Sequence, residues 1–504
     1  MTYQPSRRQL LLASASMAVL AGCGGSGGGD SRTPQGKFEI PKPVTKLPAN
    51  GGTFRLVDSN DTKTPFWEQL FEAYQQKHPD IECQYDGLPW AKIEEVVPLG
   101  IRNETAHDVI QLPSSIPLDQ AVANGWVAPL DDLFPDIQKW KAQYPDLTYA
   151  DGARVFDGKT YQVQVTTDRR PLAALHYNTQ YMQDAGYDPQ EKPLTWDEYR
   201  DAARKITKAG NGQYYGIVIE GGHPDRLAVY IDHLARSAGA TAVGGIDPKT
   251  GEFHYERDEI VAAIELLLAL KKDGSILPGS NSLQAPEAWP RVLRQNAGMV
   301  TAGSWVTVLW QTEDPEFDFG VGASPVAEEN ALPQGYGPLA GDSLVIYSGS
   351  KMKEVAADIL HYVTSIEGQT EWAKICGVAN PPILTEAIAK TSDQLTKQEK
   401  QCTKLADELV VNPDPVIGNP DVSLVTRNEK ALSPNWGETI QALLVGELSD
   451  VRQALADLKE RSERNRDEAI AAAKKEGAKV SRDDWVFSNW DPTKDYGEAD
   501  YEAR

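Results

Sequence analysis

Short apolar segments alternate with longer amphipathic segments through most of this chain, and this alternation constrains its fold more than any other feature. The predicted strands are Thr53–Val57, Asp108–Leu112, Tyr215–Ile219, Met299–Ala302, Phe319–Ala323 and Leu344–Tyr347. Between them, apolar residues repeat with helical spacing, and one such face consists of Trp67, Leu70, Phe71 and Tyr74. We expect Trp67 to be a core residue for this reason. The alternation predicts α/β structure with largely parallel sheets.

Helix starts are marked by local signals. Thr64 is expected to cap the helix that carries Trp67, with Pro65 at the first helical position. Thr195 and Glu198 have the spacing of a capping box, so a second helix should begin there. The region from residue 51 to residue 504 is too long for one ordinary core. We therefore expect two α/β lobes.

Charge and composition exclude several classes of function. The formal charge of the chain is −23 at pH 7, which argues against a nucleic-acid-binding protein because such proteins present a basic face. Cys83, Cys376 and Cys402 form neither a disulfide framework nor a close-spaced metal motif. We expect no metal, no cofactor and no disulfide required for folding, although Cys376 and Cys402 could pair in an exported compartment.

The N-terminal residues have the pattern of an export signal. Arg7 and Arg8 precede the apolar run Leu10–Leu20, which is too short for a stable membrane span. The two arginines resemble a twin-arginine signal, and an ordinary secretion signal is the alternative. The run ends in Leu-Ala-Gly-Cys, which resembles the bacterial lipobox. This resemblance implies a signal peptide over residues 1–22 and a lipid on Cys23. It also predicts an extracytoplasmic protein held on a bacterial membrane.

Residues 23–50 are rich in glycine and then in proline, and this composition predicts a flexible tether that does not join a core. At the other end of the chain, residues 461–504 begin with a charged segment expected to be a solvated surface helix. The tail contains Trp485, Phe487 and Trp490, which should pack back on the body. The role of this C-terminal extension is not indicated by the sequence.

Several segments follow one another in a fixed order: Phe66–Ile81, His107–Ile110 with Ala121–Asp132, Asp157–Tyr161 with His176–Asn178 and Ala185–Gly186, Thr195–Glu198, Ala297–Met299 with Gly303–Trp305, Gly341–Asp342, and Trp436–Gly446. Together they resemble one family, the bacterial extracellular solute-binding proteins typified by maltose-binding protein. The resemblance covers roughly residues 51–460 and leaves the C-terminal extension unmatched.

The resemblance implies a two-lobed α/β fold of the type II periplasmic-binding-protein class, with a ligand cleft between lobes joined by hinge crossings. Crossings are expected near Asp168–Pro171, Pro325 and Pro381. Lobe 1 would consist of residues 51–168 plus 326–380, and lobe 2 of residues 169–325 plus 381–460. The implied function is the capture of a small solute, most simply a mono- or oligosaccharide, for delivery to the permease subunits of an ABC importer. A monomer without catalytic residues is expected.

A sugar site needs aromatic faces and polar side chains that exchange hydrogen bonds with hydroxyl groups. By resemblance, Trp305 and Trp436 occupy stacking positions, with core packing as the alternative. Asp342 follows Gly341 at the start of a strand and is assigned to the ligand or to a turn. Glu220 follows the strand ending at Ile219, where the alternative is a solvated loop.

Other candidates follow strands or lie at the first crossing. Asn60 and Asp61 follow the first strand, and they contact the ligand or cap a turn. Gln111 and Ser114 end the second predicted strand, with the same alternatives. Asp168 and Arg170 lie at the first crossing, where a structural salt bridge is the alternative reading.

Rival functions remain open at this level. An exported carbohydrate-active hydrolase could use two carboxylates, but the many acidic residues make such pairs uninformative, and no nucleophile elbow or phosphate loop is present in the sequence. The same fold could instead bind a polyamine, an osmolyte or a peptide, or act as a sensor subunit that takes no part in transport.

Overall fold

The computed structural model describes residues 36–59, 62–328 and 331–504. The predicted signal peptide, Cys23, Asn60 and Asp61 lie outside the described residues. The strands are β1 (Gly52–Ser59), β2 (Ile81–Leu88), β3 (Val109–Ile110), β4 (Val155–Phe156), β5 (Lys159–Thr160), β6 (Val163–Gln164), β7 (Ala174–Asn178), β8 (Tyr215–Ile217), β9 (Ile246–Asp247), β10 (Glu252–Phe253), β11 (Ala297–Ala302), β12 (Phe319–Gly322), β13 (Gly335–Tyr336), β14 (Ser343–Ile346) and β15 (Val410–Val411).

Helices separate most of these strands. They are α1 (Thr64–Lys77), α2 (Trp90–Arg102), α3 (Leu118–Ala123), α4 (Ile137–Lys141), α5 (Thr179–Ala185), α6 (Trp196–Gly210), α7 (Pro224–Ser237), α8 (Asp258–Lys272), α9 (Ala285–Ala288), α10 (Pro290–Leu293), α11 (Trp305–Glu313), α12 (Lys353–Val363), α13 (Ile366–Cys376), α14 (Thr385–Thr391), α15 (Lys397–Asp407), α16 (Pro415–Gly418), α17 (Val422–Asn428), α18 (Trp436–Val445), α19 (Val451–Lys475) and α20 (Glu498–Glu502). No helix in the described ranges is both long enough and apolar enough to span a bilayer.

Two larger sheets organise the chain. The first has the strand order β2-β1-β3-β14-β6, and the second has the order β12-β7-β11-β8. The apolar face of α1, including the fully buried Trp67, packs in the core of the first sheet. Helices α6, α7 and α8 contribute to the main core of the second sheet. The chain passes from the first sheet to the second between β6 and β7, and returns between β12 and β14.

The sheets are more antiparallel than the sequence predicts. β1 is parallel to β2 and β3, but β14 is antiparallel to both β3 and β6. In the second sheet β7 is antiparallel to β11 and β12, and only β11 and β8 are parallel. The reason lies in the crossings. β7 and β14 enter their sheets directly from the other lobe, at the edge where the parallel strands end, and therefore run in the opposite direction.

Part of the predicted tether is packed against the body. Phe38 makes an edge-to-face contact with Phe66 of α1, with ring centroids 5.4 Å apart. The Lys37 amide donates to the Glu371 carboxylate at 2.9 Å, and the Val44 amide donates to Asp358 at 2.7 Å. The assignment of the whole of residues 23–50 to a flexible tether is therefore wrong from Gly36 onward. The cause is the few apolar side chains among the prolines, which fill gaps between α1, α12 and α13.

The C-terminal extension is also integrated into the fold. Arg466 of α19 is buried, donates to the Gly251 carbonyl at 2.5 Å, and its guanidinium lies 5.0 Å from the Phe253 ring centroid. Trp485, Phe487 and Trp490 are buried. The prediction that the tail packs back on the body is confirmed. The solvated-helix prediction holds for only one face of α19, because the other face packs against α17.

The cysteines after Cys23 lie in separate surroundings. Cys376 is buried in the core of the first sheet, whereas Cys402 is buried beside Thr307, with 3.3 Å between Sγ and Oγ1. No disulfide bond is formed among the described residues. Burial raises the pKa of the Cys83 and Cys402 thiols to about 12.

Candidate functional site

The candidate residues of the described chain lie mainly at one edge of each sheet. In the first sheet, β1, β3 and β6 end at the edge where β14 begins, and this places Gln111 and Asp342 side by side. In the second sheet, β8, β11 and β12 end at the edge where β7 begins. Glu220 and Trp305 follow β8 and β11 at that edge. Strand ends at a change of chain direction are where α/β folds place ligands.

Asp342, which is partly exposed, is the centre of an otherwise buried polar network. Its carboxylate accepts from Lys63 Nζ at 3.0 Å and from Gln111 Nε2 at 3.1 Å, and its amide donates to Thr166 Oγ1 at 2.7 Å. Gly341 adopts φ +125°, and a Cβ there would overlap the Thr166 carbonyl, so the residue before Asp342 has to be glycine. Burial alone would raise the pKa of Asp342, but the charges of Lys63 and Arg170 hold it below its ordinary value.

Lys63 was not identified from the sequence. Its side chain is 1% exposed, and Nζ lies 3.3 Å from Asp58 Oδ2 and 2.6 Å from Ser59 Oγ. Asp58 is held in turn by the Trp67 indole N–H at 3.0 Å and the Tyr85 hydroxyl at 2.6 Å. The sequence shows a lysine shortly after the first strand, which could have marked it as a candidate. Its partner Asp342 is 279 residues away, so the pairing itself could not be predicted.

Ser114 lies away from this network. It is exposed in the loop after β3, and its amide donates to Glu94 of α2 at 2.8 Å. The neighbouring Ser115 hydroxyl donates to the same carboxylate at 2.7 Å. These bonds fix the loop and leave both serines facing solvent.

Asp168 and Arg170 form a salt bridge at the first crossing, with 3.2 Å between Oδ1 and Nη2. Arg170 also donates to the Asn380 side chain at 2.8 Å and to the Ala379 carbonyl. Burial raises the pKa of Asp168, with Arg170 opposing that rise and the nearby Asp342 adding to it. The salt bridge of the structural alternative is present, and the assignment of both residues to the ligand stays a prediction.

Trp305 begins α11 immediately after β11. Gly303 allows the indole ring to fold back over the turn, since a Cβ there would overlap the ring. Ser304 ties this turn to the crossings, with its amide bonded to the Pro171 carbonyl at 3.0 Å and its hydroxyl to the Val378 carbonyl at 2.6 Å. The delivery of Trp305 to a strand end is thus determined by the Gly-Ser sequence before it.

The Trp305 ring is half-buried and lies beside two guanidinium groups. The Arg226 and Arg170 Cζ atoms are 5.0 Å and 5.3 Å from the ring centroid, within cation–π distance. Within the described chain, neither the indole N–H of Trp305 nor Nε of Arg170 has a hydrogen-bond partner. Buried N–H donors are normally paired in folded proteins. A ligand that carries acceptor atoms would supply partners for these two donors.

Glu220 completes the charges on the second lobe. It accepts from Arg226 Nε at 2.7 Å and from the Trp289 indole N–H. Arg226 also donates to the Leu172 carbonyl at 2.8 Å, which links α7 to the first crossing. Arg226 was missed from the sequence, although a helix beginning at Pro224, just after a strand, indicated that its first turn would face the cleft.

Trp436 lies elsewhere on the second lobe. Its indole N–H donates to Asp232 at 3.0 Å, and its ring centroid is 5.2 Å from that of Tyr255. Asp232 is six residues beyond Arg226 on α7, about 9 Å along the helix axis. Burial raises the pKa of Asp232 to about 7. Trp305, Arg170, Arg226 and Glu220 form the Trp305 cluster. No contact joins Trp436 to it in the part of the chain that the structure describes.

The resulting site is polar, internally paired and close to charge balance. Its cations are Lys63, Arg170 and Arg226, and its carboxylates are Asp58, Asp168, Glu220 and Asp342. The described residues contain no group of three or more side chains placed to hold a metal ion. The arrangement is suited to recognising an uncharged polar solute by hydrogen bonds and contact with an aromatic ring.

A family model described as bacterial extracellular solute-binding protein matches residues 59–370, more than half of the chain. The chain belongs to this family. Its members are binding proteins that act outside the cytoplasm. The match spans the strand ends that carry Gln111, Glu220, Trp305 and Asp342, whereas Trp436 and the C-terminal extension lie beyond it.

Relatives and solved structures agree with this membership. A putative binding protein of Brucella abortus is 26% identical over 317 residues, covering 62% of this chain and 72% of that protein. An sn-glycerol-3-phosphate-binding periplasmic protein of Salmonella paratyphi A is 26% identical over 249 residues, covering 48% of this chain and 54% of that protein.

Two solved structures show the same two-lobed fold. The GacH receptor of Streptomyces glaucescens, studied with acarbose, has a TM-score of 0.62 at 18% identity and covers 83% of this chain and 99% of its own. The maltotriose-binding protein of Thermus thermophilus has a TM-score of 0.59 at 18% identity and covers 85% of this chain and 100% of its own. At these identities the likeness establishes the fold, so the predicted α/β two-lobed architecture is confirmed.

Proposed function

We propose that this protein captures an uncharged mono- or oligosaccharide between its two lobes and delivers it to an ABC importer. The observation that carries the proposal is the half-buried Trp305 ring, which lies at a strand end next to unpaired N–H donors. A sugar offers weakly apolar C–H faces to an aromatic ring and hydroxyl oxygens to N–H donors. Gln111, Asp168, Arg170, Glu220 and Asp342 are the polar partners.

The charge pairing supports an uncharged ligand over a phosphorylated one. Lys63, Arg170 and Arg226 are each paired with at least one carboxylate. A phosphomonoester carries close to two negative charges, and burying an ion without a free cation is costly. We therefore expect weak binding of glycerol 3-phosphate, the ligand in the name of one relative.

Native mass spectrometry of the purified protein, followed by a thermal-shift panel, tests the proposal. A sugar present at a hundred times its dissociation constant should stabilise the fold by about 2.7 kcal/mol. Neutral sugars should shift the melting temperature in a saturable manner, and glycerol 3-phosphate should not. Preferential stabilisation by glycerol 3-phosphate, or by polyamines or peptides, would contradict the sugar assignment. Hydrolysis of chromogenic glycosides would favour the hydrolase alternative.

The cellular context is part of the same proposal. A lipid on Cys23 would hold the protein on the outer side of a bacterial membrane, and permease subunits would receive the solute. The lobe boundaries predicted from the sequence, residues 51–168 with 326–380 and 169–325 with 381–460, define the two bodies that would close around it. Hinge closure around a ligand is a common motion of two-domain proteins.

A further inference from the structure

A cavity adjoins the first crossing, and its lining includes Pro171 and Ala173. Its volume is about 520 Å³, and its walls come from the first crossing, residues 323–326 and 331–334, and the C-terminal end of α15. It shares no lining residue with the Trp305 cluster. Pockets of a few hundred cubic ångströms are large enough to bury a small organic molecule.

Two polar side chains line the inner part of the cavity. Ser324 lines the wall and is 8% exposed, and its hydroxyl has no hydrogen-bond partner within the described ranges. His233 also lines the wall, and its Nδ1–H donates to the Val229 carbonyl at 2.8 Å. Burial lowers the pKa of His233 to about 4, so the ring is neutral at pH 7. Its Nε2 is then a hydrogen-bond acceptor.

The remaining walls are mostly apolar. Pro171, Val326, Leu332 and Leu405 are among the lining residues. The charged lining residues, Lys192 and Glu408, are exposed and therefore mark the opening to solvent. Lys192 is also paired with Glu198 at 3.3 Å. The interior offers no charge to balance an ion, which excludes charged ligands from its inner part.

We propose that this cavity is a second small-molecule site, independent of the proposed sugar site. It takes an uncharged, mainly apolar molecule with one hydroxyl or N–H group, which donates to His233 Nε2 and exchanges a hydrogen bond with the Ser324 hydroxyl. The inference goes beyond solute capture and does not depend on the identity of the sugar.

Two probes of matched shape test it: 4-propylphenol, which carries the donor, and 4-propylanisole, in which a methyl group replaces the hydroxyl hydrogen. Titration calorimetry and saturation-transfer NMR should show that the phenol binds about five- to tenfold more tightly, the effect of one buried hydrogen bond. His233→Phe should remove this preference while keeping the apolar volume. Ser324→Ala should weaken phenol binding, and His361→Phe is the matched control, since His361 lies outside the cavity.

Trp305→Ala separates this site from the cleft, because phenol binding should survive that change. Equal binding of the two probes, no binding of either at millimolar concentration, or an unchanged preference in His233→Phe would overturn the proposal. Loss of phenol binding in Trp305→Ala would do so too, by assigning the probe to the cleft. A thermal-unfolding measurement on each variant ensures that the comparison is made on folded protein.

Discussion

Trp305 and Trp310 stand five residues apart on one helix and should respond differently to replacement by alanine. Trp310 is 1% exposed and packs edge-to-face on Phe319, with centroids 5.2 Å apart. Trp305 is half-buried and contacts Arg170 and Arg226, each of which keeps its carboxylate partner when the ring is removed. One helix thus offers a candidate ligand contact and a matched core control.

The expected magnitudes follow from these surroundings. Trp310→Ala removes a core side chain and should cost about 3–5 kcal/mol of unfolding free energy. Trp305→Ala removes two cation–π contacts, each worth about 0.5–1 kcal/mol, and the packing of the buried part of the ring against Trp289. Its cost should therefore be about 2–3 kcal/mol, below that of Trp310→Ala. Loss of a ring-to-sugar contact worth about 1–3 kcal/mol should weaken sugar binding roughly tenfold to hundredfold.

Urea unfolding of the ligand-free variants and calorimetric titration with the identified sugar provide the two measurements. Trp305→Ala should retain most of the stability and lose most of the affinity. If it destabilises the fold as much as Trp310→Ala does, or leaves the affinity unchanged, then Trp305 is a core residue and the site is misplaced. Trp305→Phe should give an intermediate affinity because it keeps a smaller ring.

Three further predictions concern charge and anchoring. Burial raises the pKa of Asp232 to about 7, so the folded state binds the proton more tightly than the unfolded chain and stability falls as the pH rises from about 4 to 7. Asp232→Asn should therefore be more stable than the wild type at pH 8 by a few kcal/mol at most and equal to it near pH 4, as measured by urea unfolding. Lys63→Met removes the cation nearest to the buried Asp58 and the partly buried Asp342 carboxylates and should cost about 3–5 kcal/mol. That loss should be smaller at pH 4 than at pH 8, and a loss independent of pH would contradict the ion-pair account. Cys23→Ala should move the protein from the detergent phase to the aqueous phase in a partition assay, and persistent membrane association would place the anchor elsewhere.

Local signals in the sequence predicted local structure well. The capping box at Thr195 and Glu198 is present, because both of its hydrogen bonds join residues three positions apart. The second predicted strand, Asp108–Leu112, is longer than the observed β3. Hydrogen bonds from the Asp108 and Gln111 amides to β1 nevertheless extend the pairing by one residue on each side of β3. The helix predicted to be capped by Thr64 has Lys63 at its N-cap position instead.

Long-range features could not be read in the same way. The importance of Lys63 depends on Asp342, which reaches it only after the chain has left the first sheet and returned. The strand directions depend on the edge of each sheet at which the chain enters from the other lobe. The packing of residues 36–48 depends on grooves between α1 and helices that come much later in the chain. The assignments of Gln111, Asp168, Arg170, Glu220, Trp305 and Asp342 to the ligand stay predictions until a complex is examined.

The burial of the thiols after Cys23 makes the protein a convenient scaffold for a fluorescent reporter. Cys376 and Cys402 are shielded in the interior, and the raised pKa values of Cys83 and Cys402 leave almost no thiolate at neutral pH. In a recombinant chain that starts after Cys23, a maleimide dye should therefore react selectively with one introduced cysteine. Ser114→Cys offers an exposed attachment point beside the strand end that carries Gln111. An environment-sensitive dye there would convert solute capture into an optical signal.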